Sequence, residues 1–308
     1  GFNFLPDQNG KFEDGYFPAT MSNAYERRVS AAIGYLDPGT RLRENLTITT
    51  RTQVKELLFE GKRCVGIKAL VQGREQEYRG NEIILSSGAI HSPAHLLRAG
   101  IGPAIVLNEM GIEVRANVPG VGQGLMDHPS IAVASFIKPH ARINNLTRRH
   151  ILVALRYSSG FEGIPAGDMF VAVSSKSSWH AVGEQIASMV IFVNKTYSET
   201  GQVKLQTADW QDEPTVEFNL LSDSRDLERL KDSVRRMAAI YSMPTMQAAT
   251  SDPFPASYSD KVRQVGEVNS KNKFLTGVMA KLLDGPDGLR RFLMNKLILE
   301  DFTLPQLL

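Results

Sequence analysis

A short glycine-containing segment holds the residues whose types and spacing suit the binding of a charged ligand. The aliphatic run of residues 83–85 predicts a buried strand, and two serines and Gly88 end it. A helix is predicted to follow, with Ser92 as its N-cap and Pro93 at its first position, where a missing N–H costs nothing. Free backbone N–H groups at such a turn suit an anionic or polar ligand, although an ordinary strand–helix connection would carry the same pattern.

Two other features look like active-site chemistry. Gly120, Gly122 and Gly124 suggest a phosphate-binding loop, but a dinucleotide fingerprint reads Gly-x-Gly-x-x-Gly at the start of a βαβ unit, and here the third glycine comes one position early. Asp127 and His128 are adjacent, so their side chains point in different directions, and no other cluster of histidine and aspartate joins them. We reject the loop as a cofactor fingerprint, interpret the pair as a structural brace of a turn, and assign no metal site.

Composition narrows the class of protein. The 308 residues are 42% hydrophobic and 22% charged, as in an ordinary globular protein. The net charge of +2 is built from interspersed charges and gives no argument for nucleic acid or an anionic membrane. No run of 18 apolar residues predicts a membrane-spanning segment, and the N-terminus has no signal-peptide pattern. The single Cys64 makes no internal disulfide. We expect a cytoplasmic protein with no nucleic-acid partner and no membrane segment.

The elements that must position the glycine turn predict a mixed α/β fold of the α+β class. Strands joined by short glycine turns indicate a β-meander. After residue 131, alternating strands and amphipathic helices indicate an antiparallel sheet backed by helices. Ser22, with Tyr25 and Glu26 beyond it, suggests the capped start of another helix. The meander strands are predicted at residues 46–50, 53–59, 64–71 and 76–79, and helices at residues 146–157, 223–242, 274–283 and 289–299.

The glycine segment resembles the second signature of the glucose–methanol–choline (GMC) family of flavin-dependent alcohol oxidoreductases. That pattern is Gly-small-x-x-Ser/Thr-Pro, then two aliphatic residues, then Ser-Gly-aliphatic-Gly. Ala99 departs from it, because the family usually has serine there. Packing should survive this change, although a hydroxyl is lost. Further matches follow the family's order over residues 6–230. The residues that fit the signature are Gly88, Ala89, Ser92, Pro93, Leu96, Leu97, Gly100, Ile101 and Gly102.

The resemblance implies a cofactor and a division of the chain. It implies an entrance loop at residues 1–20, and a partial FAD-binding domain at residues 21–130 that consists of the β-meander and the strand–helix turn. It also implies a substrate domain at residues 131–308, which contains the antiparallel sheet. In the parent enzyme, hydride would pass from the carbon of a small-molecule alcohol to flavin N5.

The resemblance also implies which residues contact FAD. Ser87, Gly88, Ala89 and Ser92 would do so at the turn, and the main chain of Val54 would meet the adenine. Taken alone, Val54 is simply a valine in a strand.

Such an enzyme also needs a Gly-x-Gly-x-x-Gly fingerprint and a histidine general base, and this sequence shows neither in the family's pattern. We therefore assign no catalytic residue. We expect a fragment of a flavin-dependent alcohol oxidoreductase that is inactive in isolation and binds FAD weakly or not at all. The alternative is a non-catalytic binding or structural module that retains the middle of the fold. Apolar surface meant for missing segments is expected to cause self-association. The histidines are His91, His95, His128, His140, His150 and His180, and each is interpreted as structural.

Overall fold

A computed structural model of the chain describes residues 1–24, 27–143, 149–256 and 260–297. Tyr25 and Glu26 of the predicted helix start lie outside the described residues, as do the first residues of the helix predicted at 146–157 and the last of the one predicted at 289–299. The strands, numbered in chain order, are β1 (Gly15–Pro18), β2 (Asn23–Ala24), β3 (Arg27–Arg28), β4 (Thr52–Glu60), β5 (Arg63–Val71), β6 (Arg74–Arg79), β7 (Ile101–Gly102), β8 (Ala116–Asn117), β9 (Gln123–Leu125), β10 (Ser130–Ile137), β11 (Ile151–Tyr157), β12 (Met169–Ser174), β13 (Ile186–Val193), β14 (Gly201–Lys204), β15 (Thr215–Glu217) and β16 (Thr250–Pro255). The helices are α1 (Ala31–Tyr35), α2 (Pro38–Arg41), α3 (Gly88–Arg98), α4 (Ala104–Glu109), α5 (Ser224–Tyr241), α6 (Pro244–Ala249), α7 (Asp260–Gly266), α8 (Ser270–Leu283) and α9 (Asp287–Leu297).

The chain divides into two units. The first, called the sheet unit below, consists of Gly1–Arg28, His128–Thr196 and Ser224–Leu308. The second, called the meander unit, consists of Val29–Asp127 and Tyr197–Asp223. The domain roles predicted for residues 1–20, 21–130 and 131–308 concern function, and they stay predictions.

The sheet unit is built on a six-stranded antiparallel sheet in the order β1-β11-β12-β13-β10-β16. Side chains alternate between the two faces of a strand, so β10 contributes Val133 to one core and Ala134 and Phe136 to the other. Helix α5 packs on the first face with Leu230, and α8 and α9 pack on the second. Helices therefore back both faces of this antiparallel sheet.

A buried charge network joins α5 to the sheet. The guanidinium of Arg229 donates to Asp168 Oδ2 at 3.0 Å, to Asp226 Oδ1 at 2.5 Å and to the Lys195 carbonyl at 2.8 Å. The second oxygen of each carboxylate accepts another hydrogen bond, from Thr196 Oγ1 to Asp226 at 2.6 Å and from a main-chain N–H to Asp168 at 2.7 Å. All three charged side chains are fully buried. Because every charge here has a partner, the network holds the helix in one position.

A second charged cluster fixes α9 to the edge strand β16. Asp252 has a positive φ of 53°, and its carboxylate accepts hydrogen bonds from Arg290 Nε at 3.0 Å and Arg291 Nε at 2.7 Å. Burial by itself works to raise the pKa of Asp252, but the hydrogen bonds from Arg291 and Arg290 outweigh it and hold that pKa below its ordinary value. The cluster is therefore charged at neutral pH.

The meander unit confirms three of the predicted strands. β4, β5 and β6 form an antiparallel sheet close to the predicted residues 53–59, 64–71 and 76–79. A second antiparallel sheet has the order β15-β14-β9, and β7 pairs with β8 in parallel. The mixed α/β class with antiparallel sheets and helices is confirmed.

Four predicted elements are wrong. In the helix predicted at residues 146–157, the described residues 151–157 form strand β11 instead, which pairs with β1 on one side and β12 on the other. Its residues Ile-Leu-Val-Ala-Leu-Arg-Tyr favour a buried central strand, and the helical spacing seen earlier was fortuitous. Residues 46–50 and 83–85 form no strand in the described part of the chain, and Ile84 is 78% exposed. An aliphatic run needs a neighbouring strand to satisfy its backbone groups, and these two segments pair with none there.

The helix predicted to start after Ser22 is also wrong. Residues 23–24 pair instead with residues 27–28 as the short hairpin β2-β3. The capped helix in this region is α1, where Ser30 Oγ accepts from the Ile33 N–H at 3.3 Å. None of the described helices is long and apolar enough to cross a membrane.

Candidate functional site

Helix α3 begins at Gly88, five residues earlier than predicted. Gly88 has a φ of 83°, a left-handed conformation that favours glycine, and Ser87 is the N-cap residue. Ser92 is therefore not the N-cap, and Pro93 lies inside the helix. The Ser92 hydroxyl still supports the turn, because its Oγ accepts a hydrogen bond from the Ser87 N–H at 3.0 Å.

The start of α3 leaves polar backbone groups without their usual helical partners. Ser87 makes no side-chain hydrogen bond to the first turn, so the N–H groups of that turn receive no cap from it. Pro93 has no N–H, which removes the hydrogen bond that this position would donate to the Ala89 carbonyl. The aligned peptide dipoles place partial positive charge at this end of the helix, so it suits an anionic or polar ligand.

A cavity of about 490 Å³ lies beside this helix start within the meander unit. Ala89 and Ser92 contribute to one wall, together with the next apolar residues of α3. The loop of residues 120–126 forms another wall, and Val203 of β14 completes the lining. The structure therefore brings two of the predicted cofactor contacts, Ala89 and Ser92, to one cavity, and Ser87 and Gly88 lie at the adjoining helix start.

The glycine loop rejected as a fingerprint turns out to form a wall of this cavity. It is not the start of a βαβ unit, because residues 123–125 form strand β9. Gly122 has a φ of 79°, and a Cβ there would lie 2.5 Å from the Val203 carbonyl oxygen. Gly124 is also left-handed, with a φ of 68°, but a Cβ there would meet no atom within 4 Å. The spaced glycines were the signal in the sequence, and of the two left-handed ones only Gly122 marks a close approach of loop and strand.

The last glycines of the family signature have a packing role. Gly100 has a φ of 81°, and a Cβ there would lie 2.1 Å from the Glu113 carbonyl oxygen. Its own carbonyl accepts from the Arg115 N–H at 2.8 Å, next to the parallel pair β7-β8. A Cβ on Gly102 would lie 2.5 Å from a methyl carbon of Leu97. Gly100 must therefore be glycine for this close backbone approach, whereas a side chain at Gly102 would require the Leu97 side chain to move.

Val54 lies apart from the cavity lining. It is on β4, an edge strand of its sheet, opposite Ala69 of β5, and the register shifts between Val54 and Glu56. An edge strand presents main-chain N–H and C=O groups that do not pair within the sheet, and a bulge re-aims them. Val54 is therefore placed to offer main-chain hydrogen bonds, and its contact with adenine stays a prediction.

A second cavity of about 310 Å³ lies between β4 and the C-terminal half of α3. Its lining includes Lys55, whose Nζ lies 5.5 Å from the centre of the Trp210 ring. Burial lowers the pKa of His95 and of Arg98, and the charge of Arg98 lowers that of His95 further. Acidic residues also line the cavity, so its charge is mixed and no ligand class stands out.

Several histidines have structural contacts. His128 Nδ1 lies 2.8 Å from the Val193 carbonyl oxygen, and His140 Nε2 lies 3.1 Å from that of Ala248. His180 Nδ1 accepts from the Gly183 N–H at 3.1 Å, and burial lowers the pKa of His180. Among the described residues, no group of three His, Cys, Asp or Glu side chains is placed to hold a metal ion.

Solved structures of oxidases share this fold. Pyridoxine 4-oxidase from Mesorbium loti superimposes with a TM-score of 0.72 over 90% of this chain and 54% of that chain, at 22% sequence identity. A fungal aryl-alcohol oxidase superimposes with a TM-score of 0.65 over 86% of this chain and 56% of that chain, at 19% identity. The fold of this chain is therefore one that these oxidases share.

The family follows from sequence models of the GMC oxidoreductases, whose N-terminal part matches residues 1–130 and whose C-terminal part matches residues 196–274. This chain belongs to the GMC oxidoreductase family, as its signature residues predicted. A 5-(hydroxymethyl)furfural oxidase of Methylovorus sp. (strain MP688) is 41% identical over 251 residues, which are 80% of this chain and 46% of the relative. An oxygen-dependent choline dehydrogenase of Staphylococcus aureus is 28% identical over 277 residues, 82% of this chain and 48% of the relative. The chain spans about half the length of the curated relatives it matches.

Proposed function

We propose that this chain forms part of the FAD site of an oxidoreductase that acts on small-molecule alcohols. The observation that carries the proposal is the cavity beside the start of α3, which Ala89 and Ser92 line and at whose edge the first-turn N–H groups lie. The names of two relatives support the substrate class, since 5-(hydroxymethyl)furfural and choline both carry an alcohol group.

The residues at this site fit FAD. The pyrophosphate of FAD is anionic and its flavin ring carries hydrogen-bond acceptors, and both suit the positive end of a helix. Gly88 has no side chain and a Cβ there would meet no atom within 4 Å, so the backbone is open to a ligand. The main chain of Val54 would meet the adenine from its edge strand. When bound, FAD would supply the hydride acceptor at flavin N5. The residues of this chain would bind and orient it, and we assign none of them the role of proton acceptor.

We also propose a role for each part of the chain, a location in the cell and self-association. Residues 1–20 would form the entrance loop, residues 21–130 would hold most of the FAD contacts, and residues 131–308 would bind the alcohol. Within the last range, residues 197–223 belong to the meander unit, because β14 pairs with β9 beside the cavity. The protein would act in the cytoplasm and would self-associate through exposed apolar surface.

We further propose that these 308 residues alone bind FAD weakly and do not oxidise alcohols. They contain no Gly-x-Gly-x-x-Gly fingerprint and no histidine in the family's catalytic pattern. The ring contacts of His128 and His140 to main-chain carbonyls favour the alternative of a non-catalytic module for this part of the fold. Adding alcohol to the flavin-loaded 308-residue chain without oxygen tests its inactivity: an unchanged spectrum is expected, and loss of the flavin's visible absorption would refute it. A Gly-x-Gly-x-x-Gly sequence upstream and a histidine block downstream in the full-length gene would favour the enzyme over the module.

Saturation-transfer NMR with FAD tests the site, because this method detects weak binding. Ala89→Phe places a large ring in the cavity wall and is expected to weaken FAD binding by about tenfold or more, equivalent to about 1.4 kcal/mol. Ala31→Phe is the matched control, since Ala31 is also an exposed alanine in the first turn of a helix. The proposed site would be refuted if the two variants weakened FAD binding equally, or if no saturation transfer from the unsubstituted chain to FAD were detected.

A further inference from the structure

Helix α8 is apolar on two opposite faces. One face is buried against the sheet unit through residues that include Thr276, Ala280 and Leu283. Large apolar side chains nevertheless occupy the opposite face. Their exposed fractions are 71% for Phe274, 48% for Leu275, 46% for Val278 and 42% for Leu282. A helix face that stays in water is normally polar, so this stripe indicates that something covers it.

Lysines accompany the apolar stripe. At 100° per residue, Lys271 lies within the stripe and Lys281 at its edge, and both are exposed. Neither side chain forms an ion pair or a hydrogen bond within the described part of the chain, and α8 itself contains no acidic residue. On the neighbouring helix α9, Phe292 is 58% exposed and Lys296 Nζ lies 5.5 Å from the centre of its ring. The surface therefore combines apolar groups with unneutralised positive charge.

This combination of apolar and positively charged groups favours an anionic lipid surface over a second copy of the chain. A second copy of the chain, meeting the same face, would bring lysines against lysines with no carboxylate on α8 to neutralise them. An anionic lipid surface neutralises the lysines and buries the apolar stripe at once. Lysine stems extend along apolar surface and keep their ammonium groups at the level of the lipid headgroups.

We propose that the exposed face of α8, with Lys271, Phe274, Leu275, Val278, Lys281 and Leu282, docks the protein onto an anionic lipid membrane. The attachment is peripheral, since none of the described helices is long and apolar enough to cross a bilayer. The cytoplasmic face of a membrane carries anionic lipid, which attracts each lysine held near it. The net charge of the whole chain is only +2, so composition does not indicate this surface, whose positive charge is local.

Co-sedimentation of the full chain with lipid vesicles tests the proposal. Vesicles of phosphatidylcholine mixed with phosphatidylserine are expected to carry the protein down, and vesicles of phosphatidylcholine alone are expected to bind at least about tenfold more weakly. Binding should also weaken as salt is added. Lys271→Glu combined with Lys281→Glu should weaken binding by more than about fivefold per lysine, because each lysine contributes attraction and each glutamate adds repulsion. Phe274→Ser combined with Val278→Ser should abolish it.

Matched controls carry the same changes outside α8. Lys62→Glu replaces another exposed lysine, and Ile105→Ser replaces an isoleucine that is 75% exposed, both in the meander unit. These controls should bind vesicles as the unsubstituted chain does, and circular dichroism checks that every variant folds. Absence of vesicle binding by the unsubstituted chain overturns the proposal, as does equal binding by the α8 variants. One further result would overturn the proposal in favour of a second copy. In this result, sedimentation shows that the unsubstituted chain is a dimer that does not bind vesicles, and that the variant with Phe274→Ser and Val278→Ser is a monomer.

Discussion

The buried guanidinium of Arg229 makes the stability of the sheet unit testable with one substitution. Arg229→Met keeps much of the side-chain length but removes the positive charge that pairs with the fully buried carboxylates of Asp168 and Asp226. Removing one member of a buried ion pair costs about 3–5 kcal/mol, mainly because the remaining charge is uncompensated. For a unit of this size, about 1 kcal/mol shifts the melting temperature by about 2–4 °C, so we expect a drop of about 6–20 °C.

The same helix provides the control. Lys231 forms a 2.7 Å ion pair with Glu228, but their side chains are 49% and 50% exposed. Water screens such a pair, and Lys231→Met should therefore cost about 1 kcal/mol or less. Urea denaturation followed by circular dichroism measures both variants. Adding Asp168→Asn to Arg229→Met should restore part of the loss, because it removes one of the two stranded charges.

If Arg229→Met lowers the free energy of unfolding by no more than Lys231→Met does, the buried guanidinium does not have this stabilising role. Asp168→Asn should also cost less in the Arg229→Met variant than in the unsubstituted chain. An equal loss of unfolding free energy in both would mean that the two changes are independent, which contradicts a direct interaction.

Three further predictions concern backbone strain and pH. In urea denaturation, Gly122→Ala should cost more than about 2 kcal/mol, since its Cβ meets a carbonyl, whereas Gly124→Ala has open space and should cost about 1 kcal/mol from its left-handed φ alone. The pKa of Asp252 is held below its unfolded value, so its contribution to stability is present above about pH 4 and is lost as the pH falls further; Asp252→Asn should flatten that part of a stability–pH curve. Burial lowers the pKa of His180, so the folded chain binds fewer protons than the unfolded chain and its stability should fall as the pH drops below about 6.5. His180→Gln should reduce the slope of melting temperature against pH in that window, and an unchanged slope would contradict the assignment.

Features that are local in the sequence were the predictable ones. The β-meander was readable because β4, β5 and β6 follow one another with glycine turns between them, so each strand pairs with its neighbour in sequence. The helix α5 was readable because its 18 residues show a continuous apolar face. The family could be predicted because the glycines near α3 stand at fixed spacing, and the structure shows that Gly100 permits close backbone packing there.

Features that depend on distant partners were not predictable. The apolar residues of β11 have a helix-like spacing, but the segment is a strand because it pairs with β1 on one side and β12 on the other. The run at residues 83–85 has strand-forming residues and finds no partner strand in the described part of the chain. The cavity wall at residues 120–126 depends on contact with β14, which lies more than 70 residues later in the sequence. No local sequence pattern predicts that contact.

Hydrogen–deuterium exchange with and without FAD tests where this chain holds the cofactor, because it reports on the backbone amides of every segment at once. We expect FAD to slow exchange in residues 87–93, in residues 120–126 and around Val54, while exchange in β10 to β13 of the sheet unit stays unchanged. No slowing in the first two segments, or slowing confined to the sheet unit, would contradict the placement of the cofactor beside the start of α3.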